Sequence, residues 1–142
     1  MRKVFADTGF FRVLADENDA RYETVETYRR TLLENGYIFV LTDMVLAEVI
    51  LRVRYDLDWR KAVFIGEVIR NGIGKEYELI DSGPYVWKAW DEVFKRYSDK
   101  RFSLADCISF AVMADKHIRE VLTVDADFDR VNLGFAPIMI KE

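Results

Sequence analysis

Four acidic residues stand where a folded chain could bring carboxylates together: Asp7, Glu48, Asp106 and Asp125. Asp7 and Asp125 each follow a short apolar run, Asp106 falls in the first turn of a predicted helix, and Glu48 lies about one turn into another. Carboxylates that share a semi-buried position repel one another, and hard divalent cations with oxygen ligands relieve that repulsion. The four acids therefore predict a Mg²⁺ or Mn²⁺ site, whereas zinc prefers His and Cys, of which the chain has one each.

Three of these acids also have an ordinary structural interpretation. Asp7 and Asp125 could hydrogen-bond the backbone amides that follow them, as Asp does in turns and caps. Asp106 ends the run Ser103-Leu104-Ala105-Asp106, which resembles a capping box at a helix N-terminus. Taken singly, these residues do not separate a structural role from a catalytic one.

Glu48 is harder to explain as a structural residue. Its predicted helix has an apolar face, and Leu51 and Tyr55 share the opposite face with Glu48, so we expect the helix to be buried on two sides. A buried carboxylate needs a partner such as a cation, because desolvating it alone costs several kcal/mol. Arg52, four residues on, is the alternative partner at ordinary helical spacing.

Short apolar strands alternate with amphipathic helices along the whole chain. The predicted strands cover residues 3–6, 37–41, 77–80, 120–124 and 136–140. The predicted helices cover residues 10–15, 20–34, 44–55, 58–69, a segment from Ser82 onward, and 103–116. This alternation favours one domain over residues 1–142, an α/β protein with three α/β/α layers around a mostly parallel sheet. Active sites of such sheets lie at the carboxyl ends of the strands, where the acids would meet.

Composition is consistent with a globular cytoplasmic protein. Hydrophobic residues make up 51% of the chain, no apolar run reaches membrane-spanning length, and the N-terminus has no apolar leader. Cys107 is the single cysteine, which excludes an internal disulfide. The net charge of −4 argues weakly against nonspecific nucleic-acid binding, but four carboxylates neutralised by metal would account for all of it.

Four stretches, in order, resemble the motifs of the PIN domain, the nuclease fold that includes the VapC toxins of prokaryotic toxin-antitoxin pairs. They are residues 4–9, 42–49, 102–109 and 122–128. The resemblance implies that the four acids are catalytic metal ligands, with Asp127 as an extra or outer ligand. It also implies that Thr8, Ser103 and Thr123 support the site.

The resemblance further implies a Mg²⁺-dependent (or Mn²⁺-dependent) endoribonuclease. Such an enzyme uses metal-activated water to cut single-stranded or loop RNA, leaving a 5′-phosphate and a 3′-hydroxyl. An antitoxin partner and a homodimer are implied as well. The segment 95–102 mixes aromatic and cationic residues before the third acid, and the candidate substrate-binding cations are Arg52, Lys100 and Arg101.

Other functions stay open at this point. A free-standing RNA-processing nuclease would carry the same acids, and a mainly protein-binding domain would have its acidic pocket covered by an antitoxin. A phosphoryl-accepting domain would use Asp7 as the acceptor, but Thr8-Gly9 follows it without a second nearby acid.

Overall fold

A five-stranded sheet, in which every pair of neighbouring strands is parallel, organises the chain. The computed structural model describes residues 2–123 and 136–139. The strands are β1 (Arg2–Ala6), β2 (Tyr37–Thr42), β3 (Tyr77–Ile80), β4 (Glu120–Thr123) and β5 (Ala136–Met139). Their order across the sheet is β3-β2-β1-β4-β5. Strand β1 is therefore central, and its carboxyl end lies beside those of β2 and β4.

Six α-helices in the described part of the chain flank the sheet, which confirms the predicted three-layer α/β/α fold. They are α1 (Thr8–Leu14), α2 (Tyr22–Glu34), α3 (Asp43–Asp56), α4 (Trp59–Gly72), α5 (Val86–Glu92) and α6 (Leu104–Asp115). Short 3₁₀ turns cover Gly83–Tyr85 and Phe94–Arg96. None of the helices in the described part of the chain has the length and apolar character needed to cross a membrane.

Side-chain caps define where several helices begin and end. The Thr42 hydroxyl accepts a hydrogen bond from the Val45 amide at 3.1 Å, and the Asp58 carboxylate accepts one from the Lys61 amide at 2.7 Å. Helix α2 ends at Glu34 with Asn35 as its C-cap, and Gly36 then takes a φ of +81°, a left-handed conformation that glycine adopts without strain. These start and stop positions confirm the predicted ones to within a few residues.

An aromatic cluster fixes α1 against the sheet. The rings of Phe10 and Phe39 stack at 5.3 Å between centroids, and Phe11 and Tyr77 contact each other at 5.7 Å. All of these side chains are almost completely buried. Because α1 starts directly after β1, this packing also holds Asp7 and Thr8 at the carboxyl edge of the sheet.

The prediction that α3 is buried on two sides is wrong. Leu51 and Tyr55 are 56% and 77% exposed, whereas Val45, Val49 and Val53 form the single buried face. Helical spacing identified the apolar stripes of α3 correctly, but it could not tell which stripe the rest of the fold would cover.

The helix predicted to begin at Ser82 is divided into shorter pieces. The Ser82 hydroxyl makes no cap bond and instead donates to the Asp43 carboxylate at 3.0 Å, so a 3₁₀ turn comes first. Helix α5 then ends at Glu92, because Val93, with a φ of −121° and a ψ of −61°, leaves the helical path before Phe94.

Candidate active site

Asp7 is a buried carboxylate at the end of the central strand. Its side chain is 7% exposed and makes no cap bond to α1, so the alternative of a simple helix cap is wrong. Instead, the Thr123 hydroxyl donates a hydrogen bond of 3.0 Å to Asp7 Oδ2. The Asp7 amide donates to the Leu122 carbonyl at 3.2 Å, which ties the ends of β1 and β4 together. The Asp7 carboxylate is thereby held at the carboxyl edge of the sheet.

Glu48 lies between two hydroxyl groups that come from distant parts of the chain. The Thr8 hydroxyl donates to Glu48 Oε2 at 3.1 Å, and the Ser103 hydroxyl donates to Glu48 Oε1 at 3.2 Å. Among the described residues these hydroxyls, and not Arg52, are the hydrogen-bond partners of Glu48. The predicted alternative of a pair with Arg52 is therefore wrong, and Glu48 joins the starts of α1 and α6.

Asp106 completes the capping box that its spacing predicted. Its Oδ2 atom accepts from the Ser103 amide at 3.0 Å, and its own amide donates to the Ser103 hydroxyl at 3.0 Å. The Ser103 hydroxyl thus accepts a hydrogen bond from the Asp106 amide of α6 and donates one to Glu48. The structural interpretation of Asp106 is correct, and it places this carboxylate beside the other two acids.

The electrostatics of Asp106 show that Asp7 and Glu48 lie close enough for their charges to act on it. Burial raises the pKa of Asp106 to about 7, and the charges of Asp7 and Glu48 raise it as well, while the hydrogen bonds from Ser103 lower it. A carboxyl in such surroundings favours its neutral form unless a cation compensates the neighbouring negative charges. The cluster is therefore a place where a positive charge would be stabilised.

The chemistry of this donor set fits a hard divalent cation, because all of the candidate ligands are carboxylates. Within the described residues, no group of three or more His, Cys, Asp or Glu side chains is already arranged to hold a metal ion. The oxygens of Glu48 and Asp106 instead engage neighbouring hydroxyl and amide groups. Ligation of one cation would require the three carboxylates to approach one another more closely than they do here.

The other predicted site residues lie both inside and outside the described residues. Asp125 and Asp127 lie outside them. Arg52 and Arg101 are exposed, and Lys100 makes an ion pair with Asp99 at 3.4 Å. Thus the described structure brings together Asp7, Glu48, Asp106 and their three hydroxyl-bearing neighbours.

Helical periodicity predicts Trp90 and Phe94 only as apolar residues of a helix, with no functional role. In the structure both side chains are more than one-third exposed and their rings stack, close in sequence to the cationic segment 95–102. The signal that could have identified them was an aromatic pair at helical spacing directly before that segment.

Several solved structures share this fold. The crystal structure of Mycobacterium tuberculosis VapC20, described as a toxin that cleaves the sarcin-ricin loop, matches with a TM-score of 0.77 and 24% identity, covering 91% of this chain and 95% of that one. VapBC2 from Rickettsia felis, bound to a DNA fragment from its promoter, matches with a TM-score of 0.74 and 11% identity, covering 98% and 99%. FitAcB from Neisseria gonorrhoeae matches with a TM-score of 0.66 and 16% identity, covering 94% and 95%.

Sequence comparison agrees with the structural matches. The curated 23S rRNA-specific endonuclease VapC20 of Mycobacterium tuberculosis is 26% identical over 136 residues, which cover 95% of this chain and 97% of the relative. The family model of the PIN domain matches residues 4–133. Since that match spans nearly the whole chain, including Asp7, Glu48 and Asp106, the chain belongs to the PIN domain family.

Proposed function

We propose that this protein is an endoribonuclease that depends on Mg²⁺ or Mn²⁺, with Asp7, Glu48 and Asp106 as its catalytic carboxylates and Asp125 as a fourth. The observation that carries the proposal is the convergence of three carboxylates at the carboxyl edge of a parallel sheet, where Asp106 has a pKa raised by burial and by the other two acids. Membership of the PIN domain family and similarity to a curated endonuclease support the same conclusion.

Each described side chain has a definite task in this proposal. Asp7, Glu48 and Asp106 would hold the cation, which would supply Lewis-acid chemistry for hydrolysis of a phosphodiester by water. Thr8 and Ser103 position Glu48, and Thr123 positions Asp7, through the hydrogen bonds described above.

The substrate and partners are proposed by analogy with the relatives. VapC20 is named as a 23S rRNA-specific endonuclease and its crystal structure is described as that of a toxin, and VapBC2 and FitAcB are further structural neighbours of this chain. We infer that this chain likewise cuts single-stranded or loop RNA in the cytoplasm, as the toxin of a toxin-antitoxin pair, and that it forms a homodimer. A neighbouring reading frame for a short DNA-binding protein, and capture of its product by this chain, would support the toxin role over that of a free-standing RNA-processing enzyme.

A cleavage assay tests the proposed activity. Purified protein is incubated with 5′-labelled RNA in the presence of Mg²⁺, Mn²⁺ or EDTA, alongside Asp7→Asn and Asp106→Asn variants. The proposal predicts cleavage that requires metal and falls by about a hundredfold or more in each variant. Metal-independent cleavage, or full activity in either variant, would contradict it. The exposed Glu92→Gln variant on α5 serves as the charge-matched control and should cut normally.

A further inference from the structure

A cavity of about 460 Å³ lies beside the loop that leads into α6. Helix α5, the turn after it and the loop before α6 form its walls. The side chains that matter here are Trp90, Phe94, Lys95, Tyr97, Lys100 and Phe102. Among the described lining residues four are aromatic, two are cationic and none is acidic. A cavity with these walls suits a ligand that has both a flat ring and a negative charge.

The aromatic walls present ring surface to solvent. The rings of Trp90 and Phe94 lie 4.9 Å apart between centroids with planes 12° apart, and the two side chains are 38% and 39% exposed. Exposed aromatic groups gathered in one concave place indicate a binding surface more strongly than isolated ones do.

Phe102 gives the cavity a rigid floor. It is 6% exposed and contacts Tyr97 at 5.7 Å and Phe110 at 5.1 Å, in both cases edge to face. Because Phe110 belongs to the buried part of α6, the floor is anchored in the core of the domain. A ring entering the cavity would therefore meet a preformed surface.

Two lysines supply positive charge at this cavity. Lys95 pairs with Asp91 at 3.3 Å and Lys100 pairs with Asp99 at 3.4 Å, and neither aspartate lines the cavity. Such solvent-exposed pairs are weak, so an arriving phosphate can replace either carboxylate. The charge at the cavity thus favours an anionic ligand over a purely apolar one.

The cavity is also close to the carboxylates in sequence and in space. Phe102 immediately precedes Ser103, whose hydroxyl bonds to Glu48. The three residue-to-residue steps from Lys100 to Ser103 can span at most about 11 Å of extended chain. A polynucleotide bound at the carboxylates would therefore reach the cavity within a few nucleotides of the cleaved bond.

We propose that this cavity binds an unpaired nucleobase of the RNA substrate, stacked on Trp90, with Lys95 and Lys100 contacting the adjoining phosphates. This inference rests on the proposed ribonuclease function and names the part of the RNA that the site recognises. It predicts a preference for single-stranded or loop segments, because a base held in a duplex stack cannot enter the cavity.

Binding measurements in EDTA test this proposal without cleavage. The probe is a short fluorescein-labelled single-stranded RNA, and its anisotropy reports the Kd. Trp90→Ala should weaken binding about tenfold, because one base loses its stacking surface, and Trp90→Phe should restore most of the affinity. The control is Trp87→Ala, which removes a 72% exposed tryptophan of the same helix that does not line the cavity. Its Kd should match that of the wild type.

A spectroscopic measurement avoids dependence on the alanine variant. In a protein carrying Trp59→Phe and Trp87→Phe, Trp90 is the single tryptophan, and RNA should quench its fluorescence by stacking.

Equal RNA affinity in Trp90→Ala and wild type, or no quenching, would overturn the proposal. So would a changed oligomeric state of Trp90→Ala with unchanged RNA affinity, which would indicate a protein contact. If wild type still shows metal-dependent cleavage in these cases, the ribonuclease function stands and only the base-binding cavity fails. If wild type neither binds nor cuts RNA, both proposals fail.

Discussion

The Ser103 hydroxyl donates a hydrogen bond of 3.2 Å to Oε1 of Glu48 across 55 positions of sequence. The same hydroxyl accepts from the Asp106 amide at the start of α6. One small side chain therefore caps a helix and positions a carboxylate of the candidate active site. This dual role makes its removal informative about both stability and activity.

Ser103→Ala should lower both stability and cleavage. Loss of the cap costs about 1 kcal/mol in the free energy of unfolding. Loss of the bond to Glu48 should reduce RNA cleavage about tenfold or more, as is usual for groups that orient metal ligands. Asp58→Ala is the matched control, because it removes the cap of α4 without touching the carboxylates. Chemical denaturation and cleavage rates should show similar destabilisation in the two variants but reduced cleavage only in Ser103→Ala.

Thr8→Val should reduce cleavage while preserving the shape of a buried side chain. Thr8 is 3% exposed, and its hydroxyl is the donor to Glu48 Oε2. We expect an activity loss of about tenfold and recovery in Thr8→Ser, which retains the hydroxyl. Thr27→Val on the surface of α2 provides a comparison, since that hydroxyl donates to the Glu23 carbonyl instead. Wild-type rates in Thr8→Val would show that this hydrogen bond has no part in catalysis.

The metal-free protein should lose stability as pH rises. The pKa of Asp106 is about 7 in the fold against an ordinary value of 3.8 for aspartate, mainly because of burial, so folding favours the protonated carboxyl. The stability contributed by that form is complete below about pH 4 and is lost as pH rises to about 7. Asp106→Asn should flatten this dependence in EDTA and, at pH 8, stabilise the protein by about 1 to 2 kcal/mol. Thermal unfolding across this pH range is the measurement. If the stability of Asp106→Asn depends on pH as that of wild type does, ionisation of Asp106 does not lower the free energy of unfolding.

Replacing Lys100 and Arg101 together with Ala should weaken RNA binding at low salt. Each phosphate contact that is lost should reduce the slope of log K against log salt concentration by about 0.7 for single-stranded RNA. Lys75→Ala is the control, because this exposed lysine precedes β3, away from the carboxyl ends of the strands. An unchanged slope in the double variant would remove these two cations from the substrate-binding surface.

The parallel sheet and the helix starts followed from local sequence signals. Apolar runs such as residues 37–41 are long enough and flanked clearly enough to identify buried strands, and Thr42 and Asp58 carry their capping chemistry in their side chains. The carboxyl ends of parallel strands share one edge of a sheet, which is why Asp7, Glu48 and Asp106 could be grouped from the sequence pattern alone.

The details that sequence missed depend on contacts between distant elements. Nothing near Glu48 indicates that Thr8 and Ser103 will donate to its two oxygens, and Arg52 was a plausible partner at helical spacing. The exposure of Leu51 and Tyr55 likewise depends on which face of α3 its neighbours cover. Periodicity describes one element at a time, and such relationships arise only when elements pack together.

Mn²⁺ binding measured by calorimetry tests the shared cation site most directly. Wild type, Asp7→Asn, Glu48→Gln and Asp106→Asn are titrated at one pH, with Glu92→Gln as the control. If the three carboxylates form one cation site, each of the three variants should bind Mn²⁺ at least about tenfold more weakly, while the control binds like wild type. Wild-type affinity in any one of the three variants would contradict the assignment of a single shared metal site.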